Sequence, residues 1–328
     1  MIIITGGAGF IGSNILEGLE REGYKKLVVC DYMGSDSRWK NIAKRELFDI
    51  VNPENLAEYC NAHAAEIDAV IHMGAISTTT ETDVELITNS NIRLTWALWE
   101  FCAANKKRFI YASSAATYGS GENGFEDRED QQYLNALRPL NAYGWSKAFI
   151  DRKVARYLSE GGIAPAQHVG LKFFNVYGPN EYHKGGQKSV IAHIFPSAKK
   201  GEAVKLFKSY NPAYKDGGQL RDFVWVGDIV SVVLWMLKNP SVNGLFNVGS
   251  GQARSFEDLA VSTFAALGLE PKIEYIEMPE MLRGKYQYYT KANLQKLRAA
   301  GYDKPTTRLE DGVREYVKNF LDCEDQYL

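Results

Sequence analysis

Four cysteines in 328 residues are few, and Cys30, Cys60, Cys102 and Cys323 stand far apart with no C-x-x-C among them. That spacing argues against a zinc site and against a disulfide framework, and it suits a reducing compartment. Net charge is nearly absent too: 38 Lys and Arg against 40 Asp and Glu leave -2. Without a basic excess there is no electrostatic reason to expect nucleic acid or an anionic membrane surface as partner. The longest apolar stretch, near Ile229 to Leu237, is too short to span a bilayer. No internal repeat or low-complexity segment appears. The apolar start runs straight into glycines rather than into a cleavage site, so no signal peptide is expected and a cytoplasmic location is. What remains is the composition of an ordinary globular protein, long enough for two lobes.

Glycine is plentiful, and its placement carries the first signal. Met1 to Thr5 is a β-branched run that reads as a buried strand. Gly6-Gly7-Ala8-Gly9-Phe10-Ile11-Gly12 follows at once, and Ser13 to Glu22 has helical periodicity. Strand, glycine turn and helix are the context of a dinucleotide site. Gly6 permits the tight turn, Gly9 lets a pyrophosphate approach, and Gly12 lets helix and strand pack. The helix start, with Phe10 and Ile11, offers N–H groups to phosphate. Leu27 to Asp31 reads as the second strand, and Asp31 falls about 20 residues on, where an acid grips the adenosine ribose. Asp31 thus argues for NAD, with Tyr32 beside it at the cofactor, while Arg38 can pair with a 2′-phosphate and argues for NADP. The sequence leaves both open.

Strand-like segments recur at 46–49, 69–72 and 108–112, alternating with helix-like segments at 54–64 and 83–104. The alternation predicts an α/β fold, a doubly wound parallel (Rossmann) sheet, with ligands beyond the carboxyl ends of its strands. Met73-Gly74-Ala75-Ile76-Ser77 and Ser113 to Tyr118 follow two such ends and should line the cleft, with Asn91 reaching backbone nearby.

Tyr143 and Lys147 stand four residues apart, on one face of a helix. A phenol titrates near 10, too high for a base at neutral pH, and a cation one turn away is expected to bring it down. The pair is an acid/base device for an alcohol proton.

The glycine turn, Asp31, the Ser114 loop and Tyr143/Lys147, in this order, together with Phe174-Asn175-Val176-Tyr177-Gly178-Pro179 and Arg221-Asp222-Phe223-Val224, resemble the extended short-chain dehydrogenase/reductase family, the NAD-dependent epimerases and dehydratases. Within it, His183-Lys184-Gly185 and Leu297 to Pro305 are similar to members that invert C6″ of an ADP-heptose for lipopolysaccharide core synthesis. The resemblance implies a retained nicotinamide, Tyr143 and Lys184 as the two proton-transferring groups, Ser114 on the substrate oxygen, and Lys147, Val176 and Lys184 at the cofactor. It also implies a sugar-nucleotide site of Ser114, Asn175, Gly186, His193, Phe207, Lys208, Ser209, Tyr210, Arg221 and Tyr286, no metal, and a homo-oligomer, often a pentamer. Residues 1–179 plus 221–242 would form the nucleotide domain, and 180–220 plus 243–328 a smaller, discontinuous α/β substrate lobe. The sequence departs from the pattern at Lys208, where an acid is expected, at Gly186, where a serine is, and in a long loop from Ser209 to Leu220. Two alternatives stay open: an epimerase or reductase acting elsewhere on the sugar, and a non-catalytic nucleotide sensor.

Overall fold

The computed structural model describes residues 1–283 and 286–328. Gly284 and Lys285, which precede Tyr286 in the expected substrate segment, lie outside the described residues.

Twelve strands occur among the described residues: β1 (Ile2–Thr5), β2 (Leu27–Cys30), β3 (Asp49–Val51), β4 (Ala69–His72), β5 (Arg108–Ser114), β6 (Gln167–Phe173), β7 (Asn175–Tyr177), β8 (Val204–Phe207), β9 (Leu220–Trp225), β10 (Gly244–Val248), β11 (Ala253–Ser255) and β12 (Ile273–Ile276). Seven of them make a parallel sheet in the order β3-β2-β1-β4-β5-β6-β10. Helices cover both faces, so β1, β2 and most of β4 read as apolar runs rather than alternating. Ile2 and Ile4 pack with Leu16, Leu19 and Val230 on one side, while Ile3 packs with Val70, Trp99 and Phe109 on the other. Gly18 allows the helices Phe10–Arg21 and Val226–Lys238 to touch, since a Cβ there would lie 2.4 Å from Val230 Cγ1.

The chain runs outward from β1 to β3 and then returns to β4. The direction of winding therefore reverses between β1 and β4, where a crevice opens for a ligand. The remaining strands build the second lobe. β7, β9 and β11 form one small sheet and β8 with β12 another. The helices Val190–Lys199, Phe256–Leu267 and Leu309–Tyr316 close a separate core around Phe195, Phe264 and Tyr316.

Several elements differ from their expected bounds. The first helix starts at Phe10 rather than Ser13, because Gly9 serves as its N-cap. The third strand is residues 49–51 instead of 46–49. The helix over 84–104 contains a π-helical turn at Thr88–Arg93. The largest correction concerns the lobe boundary. β10 pairs with β6, and Leu297 and Tyr302 belong to the core of the large sheet. Residues assigned to the substrate lobe from 243 onward thus begin by extending the nucleotide sheet. Leu245, Phe246 and Val248 are buried at this edge of the sheet, which removes their apolar surface from water.

Candidate active site

The glycine turn is built for close approach. Gly6 has φ 64°, and a Cβ on it would lie 2.6 Å from Gly74 N, so the two turns at the winding reversal touch. A Cβ on Gly12 would lie 2.1 Å from Gly6 O. No side chain caps the helix that starts at Phe10, which leaves its N-terminal N–H groups to a ligand. Asp31 Oδ2 accepts from Ala8 N at 3.0 Å, tying the end of β2 to the turn. Burial pushes the Asp31 carboxyl up and Arg38 opposes it. Arg38 Nη1 lies 3.6 Å from Asp31 Oδ1 and 3.0 Å from the carbonyl of Tyr32, and its other nitrogens bind Asp36.

A buried polar chain holds the neighbouring loop. Thr95 donates to Asn91 O, so it accepts from Nε2 of His72 at 2.8 Å; Nδ1 then accepts from Thr5 Oγ1 at 2.6 Å, and Thr5 accepts from Gly74 N. Burial, with Lys147 nearby, drives the His72 pKa down to about 3, consistent with this neutral tautomer. Asn91 grips Ile76 twice, at 2.8 Å through its oxygen and 2.9 Å through its nitrogen. It also donates to Ser146 Oγ, which donates to Tyr143 O. The π-helical turn places Asn91 here, between the Met73–Ser77 loop and the helix Ala142–Ser159.

That helix is capped by Asn141, whose side chain accepts from Gly144 N at 2.8 Å. Lys147 is 3% exposed and donates to Ala112 O at 2.8 Å. Burial lowers its pKa to about 8, with Asp151 opposing. Tyr143 differs from expectation: burial raises its pKa, and the Ser114 hydroxyl is what opposes that rise. The Lys147 ammonium donates to the Ala112 carbonyl of β5, and Ser114 is the group that favours the Tyr143 phenolate against burial. Ser114 ends β5 and caps the following turn by accepting from Ala116 N at 3.1 Å.

The segment after β7 packs against the glycine turn and its helix. Asn14 holds Pro179 O at 3.0 Å, and Asn41 holds both Ala8 O and Asn180 O. Lys184 Nζ consequently sits 5.5 Å from the ring centre of Phe10, the first residue of the glycine-turn helix. Burial lowers the Lys184 pKa and Glu181 opposes. A second cation thus reaches the glycine turn from an element separate from the Tyr143 helix. Val176 packs on the main core, while Asn175 is exposed at the start of β7.

Residues 2–249 match the model of the NAD dependent epimerase/dehydratase family. The chain belongs to that family. Relatives named ADP-L-glycero-D-manno-heptose-6-epimerase from Fusobacterium nucleatum and Nitratidesulfovibrio vulgaris are each 47% identical over 100% of both chains. The Helicobacter pylori structure of that name is 30% identical, with TM-score 0.78 over 97% of this chain and 95% of that one. UDP-glucose 4-epimerase of Thermus thermophilus, solved with NAD, is 25% identical, with TM-score 0.73 over 96% and 97%. Family membership supports a nicotinamide cofactor, and the close backbone approach at Gly6 and Gly12 is compatible with a dinucleotide lying on this turn.

Arg221, expected at the edge of the nucleotide domain, lies on β9 of the small sheet with β7 and β11, and it is the residue of most chemical interest there. It is 6% exposed, donates to Leu220 O at 2.9 Å, and lies between the rings of Phe256 and Tyr286 at 5.7 and 5.1 Å. No carboxylate among the described residues pairs with it. Burial lowers its pKa, opposed by Tyr286 and Tyr214. The other members of the expected substrate set are not drawn together as tightly. Lys208 pairs with Glu277 at 2.7 Å, and Tyr210 donates to the same carboxylate. Ser209 donates through N–H to Asp216 at 2.8 Å, and Phe207 ends β8. His193 is exposed and faces Gly186 O at 3.3 Å, while Gly186 is itself exposed with open space around it.

Residues that the sequence did not single out organise the site. Asp222 is fully buried and accepts from Ser250 N, Ser250 Oγ, Gly251 N and Ala292 N at 2.6–2.9 Å, which fixes Arg221 beside it. Glu181 accepts from Ser189 and Tyr316 and anchors the Lys184 turn. Asp222 stood beside Arg221 in a motif already noticed; Glu181 carried no signal of its own.

Proposed function

We propose that this protein inverts C6″ of an ADP-glycero-manno-heptose, interconverting the D-glycero and L-glycero forms through a transient 6-ketone. The observation that carries the reading is the placing of two proton-capable groups on separate elements: Tyr143 on the helix that Asn91 and Ser146 tie to the Met73–Ser77 loop, and Lys184 beside Phe10 at the start of the glycine-turn helix. Inversion requires proton transfer at the same oxygen in two sugar orientations, and two such groups meet that need. The full-length likeness to heptose 6-epimerases supports the substrate.

The dinucleotide is held by the Gly6–Gly12 turn, Asp31, Tyr32, Arg38 and the Met73–Ser77 loop that Asn91 fixes; when bound, its nicotinamide supplies reversible hydride transfer at C6″. Tyr143 moves the hydroxyl proton in one orientation, and Ser114 donates to the same oxygen as charge develops on it. Lys147, charged below about 8, favours the phenolate once Tyr143 gives up its proton. Lys184 serves the other orientation, its lowered pKa easing proton release. Arg221 takes the diphosphate, which its unpaired guanidinium suits. Arg38 beside Asp31 supports NADP over NAD, because it offsets the carboxylate that would repel a 2′-phosphate.

The test is incubation with ADP-D-glycero-β-D-manno-heptose without added cofactor, with NMR of the C6″ configuration. Conversion to the L-glycero form is expected, and Lys184→Met should lower turnover about 100-fold. Turnover of UDP-hexoses at C4″ instead, with Lys184→Met fully active, would replace this reading.

A further inference from the structure

The helix carrying Tyr143 and Lys147 is joined to the turn carrying Ser114 by an ion pair sealed from solvent. Lys172 Nζ lies 2.7 Å from Asp151 Oδ2, and the two side chains are 0% and 1% exposed. Asp151 stands four residues beyond Lys147 and eight beyond Tyr143, on the same helical face. The same carboxylate oxygen accepts from Ser113 Oγ at 2.9 Å. Lys172, on β6, donates at 2.6 Å to Thr117 Oγ1, and Thr117 donates at 2.8 Å to the carbonyl of Ser114. The ammonium also caps the Tyr118 ring at 4.6 Å. An unbroken path therefore runs from the Tyr143 helix through Asp151, Lys172 and Thr117 to Ser114.

Stability does not account for this arrangement. Burying two charges costs solvation that their attraction often fails to return, and apolar residues of similar volume commonly serve a core as well or better. Asp151 Oδ1 is buried with no hydrogen-bond partner, so the pair is not even fully satisfied. Directionality is what an ion pair adds over an apolar contact. Two catalytic elements from distant parts of the chain must meet with their hydroxyls in register, and the hydrogen bonds of Lys172 and Asp151 allow one register.

The same carboxylate acts on Lys147. From β4 the ammonium faces His72, which is neutral, and from β5 it faces the Ala112 carbonyl. Asp151 on its own helix is the negative group that opposes burial. Tyr111 on β5 and Tyr118 beyond it face Asp151 as un-ionised phenols, and Lys172 on β6 offsets part of its charge.

We propose that Lys172 and Asp151 are positioning residues of the reaction: the pair holds the Ser114 turn in register with Tyr143, and Asp151 helps keep Lys147 charged. This rests on the reading of Tyr143, Lys147 and Ser114 as the proton-transfer set.

The test uses the double variant Asp151→Asn/Lys172→Met, which removes the pair without stranding either charge. Turnover is read beside the titration of Lys147, followed by NMR of 13Cε-labelled lysine and assigned by its loss in Lys147→Met. The folded double variant should lose about 100-fold in kcat with KM nearly unchanged, and the Lys147 midpoint should fall, by less than Asp151→Asn alone would cause because the Lys172 charge goes too. Thr117→Val cuts the path at its far end and leaves the ion pair whole. It should lower kcat about tenfold with the Lys147 midpoint unmoved, and Thr117→Ser should restore it. A folded double variant with wild-type kcat and an unmoved Lys147 midpoint overturns the proposal. If the double variant does not fold, Thr117→Val decides: wild-type kcat there overturns it, and a loss rescued by serine upholds it. Absence of heptose epimerisation in the wild-type protein would refute the assigned reaction separately, since the Lys147 titration is read without substrate.

Discussion

Arg221→Leu separates a binding role from a structural one. The guanidinium is 6% exposed, and its neighbours are one carbonyl at 2.9 Å and two aromatic rings. Leucine forfeits a charged hydrogen bond, about 1.5–3 kcal/mol, and ring contacts of about 1 kcal/mol. Against this, the buried charge without an anion disappears, and the desolvation so relieved is of order several kcal/mol. The contributions nearly cancel, so the unfolding free energy of the free protein should change by less than about 1 kcal/mol, read from urea melts. Nucleotide binding should respond very differently. Losing a charge-assisted contact to a desolvated diphosphate costs about 3–4 kcal/mol, which is about 10²–10³ in Kd. Titration calorimetry with ADP measures it. A variant that unfolds at markedly lower urea yet binds ADP as the wild type does would refute the reasoning and make Arg221 a packing residue.

Gly12→Ala should destabilise the protein by about 1–3 kcal/mol and abolish dinucleotide binding, because its Cβ would meet Gly6 O at 2.1 Å; an unchanged urea midpoint would contradict this. His72 is held neutral with its pKa near 3, below its unfolded value of 6.5, so stability is full above pH 6.5 and falls as pH drops toward 3. Each pH unit in that window costs about 1.4 kcal/mol, and His72→Gln should flatten the slope of urea stability between pH 6.5 and 5. Arg38→Ala should weaken NADP about tenfold or more while leaving NAD within about twofold, measured by direct binding; equal losses for both would remove the 2′-phosphate role.

The parts of the site that lie within one stretch of chain were legible in the sequence. Gly6 to Gly12 are neighbours, and Tyr143 and Lys147 share a helix face, so spacing alone implies their geometry. The parts made by pairing across the fold were not. Lys172 reads as a charge in an apolar strand, and its meaning depends on Asp151 and Thr117, which approach it only when β5 and β6 are in register. β10 reads as any apolar pentamer, and its place on the nucleotide sheet follows from the chain's return to β6. Asn91 was visible as a polar helix residue; the π-helical turn that aims it was not, because nothing local distinguishes that turn from an α-helical one. The rise in the Tyr143 pKa was not legible for a related reason: four-residue spacing puts Lys147 on the same face, but burial of the phenol and the position of the ammonium, which donates to Ala112 O, are set by other elements.

The most direct test of the account follows the hydrogen on C6″. Substrate deuterated at C6″ should be converted in ordinary water to the inverted heptose with deuterium still at C6″, because hydride leaves that carbon and returns to it within one binding event. Product that has exchanged C6″ deuterium for solvent protium would contradict the account, since it would mean that the carbon is deprotonated and reprotonated rather than oxidised and reduced.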